Sequence, residues 1–426
     1  MSTALPSPMS SHRPDNDRAC PPKTDPRRRD AGEADGRTEV DRADPELPGE
    51  APVVERPLIP LKGRGAVVNL QGRFELDERR AFDDGWSHDD EEDGPQLRTQ
   101  VFDEYAKSIL TRNQSPDIPF EVSLNPYRGC EHGCIYCFAR PTHSYLGLSP
   151  GLDFESRIYA KVNAAELLER ELARPSYQPE SIALGVNTDA YQPVERERRI
   201  TRGVIEVLSR AGNPFAAITK SSLIERDLDL LVPMAERNLF SAAITITTLD
   251  PAVARTLEPR AASPARRLRT IRVLADAGVQ VGVSIAPVIP FVTEPEMEHV
   301  LEACAEAGAS AASYIVLRLP WEVSPLFEQW LAAHFPDRAA RVMNRVRDMR
   351  GGKNYDSSFA TRMKGSGLWA DLLRQRFQKA VKRLGLNERH RGIMDMSQFA
   401  RPDIRRSARR GPDGKLDDSQ LSLFGD

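Results

Sequence analysis

Three cysteines lie within one short stretch of the sequence, RGCEHGCIYCFAR. Cys130, Cys134 and Cys137 are spaced C-x3-C-x2-C, although the whole chain of 426 residues contains only five cysteines. Thiolates are soft ligands that select zinc, Cu(I) or iron–sulfur clusters. A [4Fe–4S] cube normally takes four cysteines, so three would leave one iron open. Since an open coordination position distinguishes a catalytic metal site from a structural one, the sequence predicts a catalytic iron–sulfur site completed by a substrate or cofactor.

The remaining cysteines are poorly placed to complete this site. Cys20 lies in the N-terminal segment, and Cys304 lies on the apolar side of a predicted helix, where we expect a small buried hydrophobic side chain. The alternative is zinc held by the three cysteines and one histidine, either His132 or His143. His132 lies inside the short first gap of the motif and would have to turn inward beside both flanking cysteines. We therefore favour a cluster, with both histidines as solvated loop residues.

The segments that must position the cysteine loop alternate between short apolar runs and amphipathic helices. This alternation is typical of a parallel sheet covered by helices. We predict an α/β fold, a partial (β/α)6 TIM-like barrel, with the cysteine loop directly after its first strand. The six predicted strands are residues 120–125, 181–187, 214–221, 241–248, 279–289 and 312–320.

Polar residues cluster where the predicted strands end. In a barrel of this type, all the C-terminal strand ends meet on one face, where catalysis takes place. A purely structural sheet would not need polar groups along that one edge, so we predict that they surround the site. They are Asn187, Thr188, Asp189, Thr219, Lys220, Thr245, Thr247, Thr248, Ser284 and Arg318.

Composition divides the rest of the chain. The N-terminal segment is charged, rich in proline and almost free of aromatics, which predicts a disordered tail. No secretory signal and no run of 18 apolar residues is present, and an odd number of clustered cysteines does not indicate disulfides. We therefore expect a cytoplasmic protein that does not bind membranes. The predicted parts are a disordered tail (1–56), an irregular extension (57–118), the (β/α)6 core (119–322), a C-terminal helical extension (323–390) and a basic flexible tail (391–426).

The cysteine spacing, with Tyr136 just before the last cysteine and six βα units in the chain, resembles the radical S-adenosylmethionine superfamily. The resemblance implies that Cys130, Cys134 and Cys137 hold a [4Fe–4S] cluster and that S-adenosylmethionine binds the fourth iron through its amino and carboxylate groups. It further implies that an electron from a reducing partner cleaves this cofactor into methionine and a 5′-deoxyadenosyl radical. The protein then supplies binding and orientation, while the cofactor supplies the radical chemistry.

Longer stretches resemble one branch of that superfamily, the spore-photoproduct-lyase-like or DNA repair photolyase-like proteins. These stretches are NPYRGCEHGCIYCFAR, NTDAYQPVE, AITKS, ITITTLD and SIAPVIP, and the likeness runs from about residue 62 to 386. It implies that Thr188 and Asp189 face the methionine moiety, that Lys220 pairs with its carboxylate, and that SIAPVIP lines the adenine. For the threonines, β propensity alone is the alternative explanation. The predicted cofactor-binding residues are thus Tyr136, Thr188, Asp189, Lys220, Thr245 and Thr247.

The sequence also departs from this branch. Where the branch often has TDPYQP, Ala190 replaces the first proline. Spore photoproduct lyase returns a hydrogen atom to its substrate from a cysteine near the second strand, but no cysteine lies between Cys137 and Cys304. We therefore do not expect lesion-lyase activity.

The end of the chain, DDSQLSLFGD, resembles the peptide by which bacterial repair and replication proteins dock on the DNA sliding clamp. In that mode an extended tail places a leucine and a phenylalanine in an apolar pocket, and a glutamine hydrogen-bonds at its edge. Before it, residues 374–410 hold twelve Lys or Arg against three acids, which fits either nucleic-acid contact or a solvated helix face. The clamp-binding candidates are Gln420, Leu421, Leu423 and Phe424.

Three functional hypotheses follow. The first is a radical enzyme that acts on nucleic acid or on a protein bound to it. The second is a radical enzyme for a peptide or a small metabolite, and the third is a non-catalytic, clamp-associated scaffold with a structural metal. Only the first two predict 5′-deoxyadenosine, and salt-sensitive DNA binding favours the first.

Overall fold

The structure is a computed structural model that describes residues 60–75, 97–388 and 394–403. The predicted disordered tail (1–56) and the clamp-like peptide (420–424) lie outside these residues and stay predictions. In the described part of the chain, no helix is long and apolar enough to cross a membrane.

The described residues form strands in two sheets, separated by helices along the chain. The strands are β1 (Gln100–Glu104), β2 (Leu110–Arg112), β3 (Val122–Leu124), β4 (Tyr127–Arg128), β5 (Arg157–Lys161), β6 (Ile182–Leu184), β7 (Phe215–Thr219), β8 (Phe240–Thr245), β9 (Gln280–Val288) and β10 (Ala311–Val316). The α-helices are α1 (Leu152–Ser156), α2 (Ala164–Leu172), α3 (Glu195–Arg198), α4 (Ile200–Ala211), α5 (Leu228–Glu236), α6 (Pro251–Leu257), α7 (Pro264–Asp276), α8 (Met297–Glu306), α9 (Val323–His334), α10 (Pro336–Asp348) and α11 (Gly367–Arg383). Short 3₁₀ helices cover Arg140–Leu146, Ser222–Asp227 and Glu294–Glu296.

The larger sheet confirms the predicted (β/α)6 arrangement. Its order is β10-β9-β8-β7-β6-β3-β2, and neighbouring strands from β3 to β10 are parallel. These six strands correspond to the six predicted apolar runs, and β2 adds one antiparallel edge strand. Because the order is open between β10 and β2, the sheet is a partial barrel. Its C-terminal strand ends share one edge, as the sequence predicted.

A second, three-stranded sheet was missed in the sequence. Its order is β1-β5-β4, with β1 parallel and β4 antiparallel to β5. The prediction that residues 57–118 are irregular is therefore wrong for β1 and β2. Both strands are short and mostly exposed, so they lack the apolar run by which buried strands are found. Their pairing partners, β5 and β3, are what order them.

Two apolar clusters stabilise the sheet and the cysteine loop. The larger one packs the six parallel strands against their helices, with Leu124, Ile244 and Ile285 fully buried. The second joins residues of the cysteine loop to helices α9 and α10, with Trp330 fully buried in it. The C-terminal helices therefore support the cysteine loop from the side.

Candidate functional site

The cysteine loop begins at the C-terminal end of the first parallel strand. Cys130 and Cys134 are each 7% exposed, and Cys137 is partly exposed. The loop turns at Gly129 and Gly133, whose φ angles of 77° and 66° lie in the left-handed region that favours glycine. These turns bring the three thiols into one compact loop.

A buried ion pair clamps this loop from below. Arg140 and Glu155 approach to 2.5 Å, and both side chains are 0% exposed. The Arg140 guanidinium also donates to the carbonyl oxygens of Gly133 (3.0 Å) and Cys134 (2.9 Å). Because these carbonyls belong to the loop itself, Arg140 fixes the backbone that carries the first two cysteines.

The N-terminal KGRGA segment packs directly on the loop. The Glu155 carboxylate accepts hydrogen bonds from the amides of Gly65 (2.9 Å) and Ala66 (2.8 Å). A Cβ atom on Gly65 would lie 1.9 Å from the Gly133 carbonyl oxygen, far inside van der Waals contact. Glycine is thus required at this position for the segment to reach the loop.

A second buried carboxylate holds the loop through Tyr136. Glu258, 2% exposed, accepts hydrogen bonds from the hydroxyls of Tyr136 and Thr247 and from the Arg267 guanidinium. Burial disfavours its charged form, but the charges of Arg267 and Lys220 outweigh burial, so the pKa of Glu258 lies below its usual value. The Tyr136 side chain is therefore anchored away from solvent, beside the cysteines.

Asp189 connects the second and third strand ends to the loop. Its carboxylate accepts hydrogen bonds from the Thr219 hydroxyl (2.7 Å) and the Lys220 amide (2.8 Å), and it lies 3.2 Å from His132 Nδ1. Burial raises the pKa of Asp189, but His132 and these hydrogen bonds outweigh it and lower the pKa to about 2. Asp189 is thus ionised and ties the strand ends to the cysteine loop.

Lys220 places an ammonium group beside the loop. Its Nζ lies 5.8 Å from the centre of the Tyr136 ring. Burial alone would lower the pKa of Lys220, but the nearby Cys134 and Glu258 charges outweigh it and raise the pKa above its usual value. Lys220 is therefore a fixed positive charge next to the thiols, suited to an anionic group bound there.

Burial raises the pKa values of the first two thiols. The pKa of Cys130 lies well above its usual value because of burial and the neighbouring Asp189, Cys134 and Cys137 charges. Burial raises the pKa of Cys134 to about 12, although Lys220 opposes the shift. A coordinated metal deprotonates its thiol ligands, so these buried thiols fit a site whose positive charge comes from bound iron.

Both histidines of the zinc alternative are buried, so the prediction of solvated loop histidines is wrong. His132 is 2% exposed and faces Asp189, whereas His143 is 0% exposed and bonds through Nε2 to the Arg157 carbonyl at 3.0 Å. The loop folds inward onto buried polar partners, which no periodicity in the sequence reveals. Among the described residues, no three His, Cys, Asp or Glu side chains group around a single ion position.

The predicted threonines lie at the strand ends, and all three are buried. The Thr188 hydroxyl donates to the Tyr127 carbonyl at 2.9 Å, and the Thr247 hydroxyl donates to Glu258 at 3.2 Å. The Thr245 carbonyl accepts from Arg267 at 2.9 Å. Through these contacts the three threonines brace the elements around the loop, and their predicted contacts to a cofactor stay predictions.

Several known proteins are similar to this chain. A family model for the radical SAM superfamily matches residues 124–304, which contain all three cysteines. An uncharacterised protein of Mycobacterium tuberculosis is 38% identical over 253 residues, covering 58% of this chain and 74% of that protein. The chain belongs to the radical SAM superfamily. This radical SAM protein is therefore an enzyme of a superfamily that uses a [4Fe–4S] cluster and S-adenosylmethionine.

Other matches of this radical SAM enzyme are more remote. An uncharacterised protein of Methanocaldococcus jannaschii is 22% identical over 241 residues, covering 57% of this chain and 86% of that protein. A spore photoproduct lyase variant with bound AdoMet and dinucleoside spore photoproduct is 15% identical, with a TM-score of 0.46, over 67% of this chain and 80% of that one.

Sequence reasoning missed the residues that hold the loop. They are Gly65, Arg140, Glu155, Glu258 and Arg267. Two of them, Arg140 and Glu155, are close to the cysteines in sequence. A single charged residue near a motif is normally expected to be exposed to solvent, so the sequence does not indicate that these two are buried. Glu258 lies 121 residues after Cys137, and no local pattern connects the two positions.

Proposed function

We propose that this radical SAM enzyme holds a [4Fe–4S] cluster on Cys130, Cys134 and Cys137, with one iron left for S-adenosylmethionine. When bound and reduced, this cluster supplies the electron that releases a 5′-deoxyadenosyl radical from S-adenosylmethionine. The observation that supports the proposal most strongly is the cysteine loop itself. Three thiols lie on one braced loop at the C-terminal strand edge, with the Lys220 ammonium beside them.

The protein's own residues orient and enclose the reaction. Lys220 holds the carboxylate of the cofactor as a compact positive charge. The Tyr136 ring lies beside Lys220, and the Tyr136 hydroxyl is held by a hydrogen bond to Glu258. Asp189 and Thr188 set the second strand end, and Thr245 and Thr247 set the fourth. Because most of these side chains are buried, bulk water is kept from a reactive intermediate.

The substrate class that we propose is nucleic acid, in line with the first hypothesis. A polyanion needs positive charge near the cysteine loop, and Arg318, at the end of the sixth parallel strand, lies beside Phe138, which directly follows Cys137. A reducing electron donor and a reducing, cytoplasmic location are further parts of the proposal. Docking on a sliding clamp through Gln420, Leu421, Leu423 and Phe424 stays a prediction from the sequence.

Anaerobic reconstitution tests the proposed chemistry. The protein is loaded with iron and sulfide, reduced with S-adenosylmethionine present, and assayed for 5′-deoxyadenosine by chromatography. We expect wild-type protein to form it and Cys130→Ala to form none. Cys304→Ala is the matched control, because Cys304 is fully buried in the larger apolar cluster away from the loop. A colourless, zinc-loaded wild-type protein without cofactor cleavage contradicts the proposal.

A further inference from the structure

The connection between α10 and α11 is strongly basic. Residues 349–366 contain Arg350, Lys353, Arg362 and Lys364 but only one acid, Asp356. The helical extension that carries it was not connected to the site by the sequence. Arg362 is ion-paired with Asp117 at 2.6 Å, and Arg350 and Lys364 donate to backbone carbonyls. The exposed Lys353 is therefore the cation of this connection best placed to contact an anion.

This connection is fastened to the C-terminal end of the sixth parallel strand. The Val316 amide donates to the Met363 carbonyl at 2.9 Å, and Arg350 Nη2 donates to the Leu317 carbonyl at 2.9 Å. Arg318 Nη1 lies 3.3 Å from the Met363 sulfur. The basic connection therefore lies at the same sheet edge as the cysteine loop.

Two exposed aromatic rings flank it, each paired with an arginine. Phe138, which directly follows Cys137, is 46% exposed and lies 5.5 Å below the Arg318 guanidinium. Phe359 is 49% exposed and lies 4.6 Å from the Arg362 guanidinium. Each ring therefore offers an open π-face to solvent beside a guanidinium group, which is an arrangement on which a planar base can stack.

A cavity lined by residues of the basic connection lies beside Arg350. Its volume is about 370 Å³, which is within the range of small-ligand sites. Arg350 is 3% exposed, yet its Nε has no hydrogen-bond partner among the described residues, and neither has the buried Nε of Arg318. Buried donors are normally paired, so these two point to a missing acceptor. The lining residues are Arg350, Gly351, Lys353, Tyr355, Asp356, Ser357 and Ser366.

We propose that this arginine–aromatic surface, formed by Phe138, Arg318, Lys353, Phe359 and Arg362, binds single-stranded or unpaired nucleic acid. Backbone phosphates lie against the basic connection, and unstacked bases stack on the two rings. Since Phe138 follows Cys137, the surface presents one nucleotide to the cysteine loop. This inference rests on the proposed function, and it specifies that the nucleic-acid substrate is an unpaired strand.

The combination of rings and cations favours an unpaired strand over other anions. Every base has a π-face, and stacking on an aromatic side chain needs a base outside the duplex. An acidic peptide would use the cations but not the rings. A duplex hides its base faces, so it would gain only the phosphate contacts.

Fluorescence anisotropy with a labelled 20-nucleotide oligothymidine and full-length protein tests the surface. Phe359→Ala is expected to weaken binding by at least about fivefold, since one base stack is lost. Lys353→Gln is expected to lower the slope of log affinity against log salt by about 0.7, the value for one phosphate contact on a single strand. Both residues are exposed, and circular dichroism checks their folding.

Two matched variants serve as controls. Tyr105→Ala removes an aromatic side chain that is 79% exposed, and Arg170→Gln removes an exposed charge on the outer side of α2. Both are expected to bind as wild type. Unlabelled polyglutamate and a duplex of the same length are expected to compete weakly. The inference is overturned if Phe359→Ala and Lys353→Gln bind as wild type, or if polyglutamate displaces the strand as well as unlabelled oligothymidine does.

The strand-binding experiment and the 5′-deoxyadenosine assay test different claims, and either can fail without the other. Cofactor cleavage without strand binding overturns this inference alone. Strand binding by a protein that does not form 5′-deoxyadenosine overturns the proposed chemistry and leaves the surface intact.

Discussion

The buried ion pair beneath the cysteine loop allows a quantitative prediction. Arg140→Met removes the charge that faces Glu155 at 2.5 Å and the donors to the Gly133 and Cys134 carbonyls. Removing one partner of a buried pair costs about 3–5 kcal/mol, because the other charge stays buried. Glu155 keeps the amides of Gly65 and Ala66, so we expect the lower end, a loss of about 3 kcal/mol in the free energy of unfolding.

Urea unfolding of the metal-free protein measures this loss, and iron bound per chain after reconstitution measures the effect on the site. We expect Arg140→Met to bind less iron, since the loop backbone loses its support. Arg170→Met is the control, because Arg170 is 59% exposed and its pair with Glu166 is worth at most about 1 kcal/mol. Arg140→Met with Glu155→Gln should cost less than the two single changes together. A loss under about 1 kcal/mol for Arg140→Met, or strictly additive costs, refutes the reasoning.

Three further predictions concern the same region. Gly65→Ala is expected to lower the iron retained per chain, because the new Cβ would meet the Gly133 carbonyl oxygen. Gly203→Ala is the control and should retain iron as wild type does, because its Cβ would make an ordinary 3.5 Å contact. Equal iron retention by both variants contradicts the packing of Gly65 on the loop. Cys304→Ser should bind as much iron as wild type, because Cys304 lies in the apolar core, and a loss of iron without a loss of folding contradicts this placement. Burial lowers the pKa of His143 to about 4, below its unfolded value near 6.5, so its contribution to stability is full above pH 6.5 and is lost as pH falls toward 4. In that window the unfolding free energy of wild type should fall more steeply than that of His143→Gln, by up to about 1.4 kcal/mol per pH unit, and identical slopes contradict the assignment.

The sequence predicted the parallel core because its strands are buried on both faces. Runs such as SAAITITT and VQVGVSIAPVI are rich in small apolar and β-branched residues, and they correspond to β8 and β9. The strands β1 and β2 were missed because half-exposed, charged strands lack that pattern. Their order depends on partners far along the chain, which local propensity does not encode.

The cysteines proposed as ligands could be predicted from the sequence, but the residues that support their loop could not. Spacing alone marked the three cysteines, and strand-end position marked Asp189 and Lys220. The internal contacts of Asp189 and Thr188 depend on which loops fold over the strand ends. In the same way, the burial of His132 and His143 arises from tertiary packing on Asp189 and Phe154.

The arginine–aromatic surface was likewise not predictable from the sequence. Phe138 directly follows the motif, and nothing in the sequence indicates that its side chain is exposed. Arg318 was marked as a strand-end residue, but its neighbours on residues 349–366 are recognisable only once α10 and α11 are placed. The twelve cations in residues 374–410 were singled out in the sequence, whereas the basic connection at residues 349–366 was not.

The central claim is that one iron of the cluster is left open for S-adenosylmethionine. Mössbauer spectroscopy of protein reconstituted with ⁵⁷Fe, recorded with and without S-adenosylmethionine, tests it most directly. The account predicts about four irons per chain, and a spectrum in which about one quarter of the iron changes when the cofactor is added. A spectrum that the cofactor leaves unchanged, with all irons equivalent, would show that the protein already supplies a fourth ligand and would contradict the account.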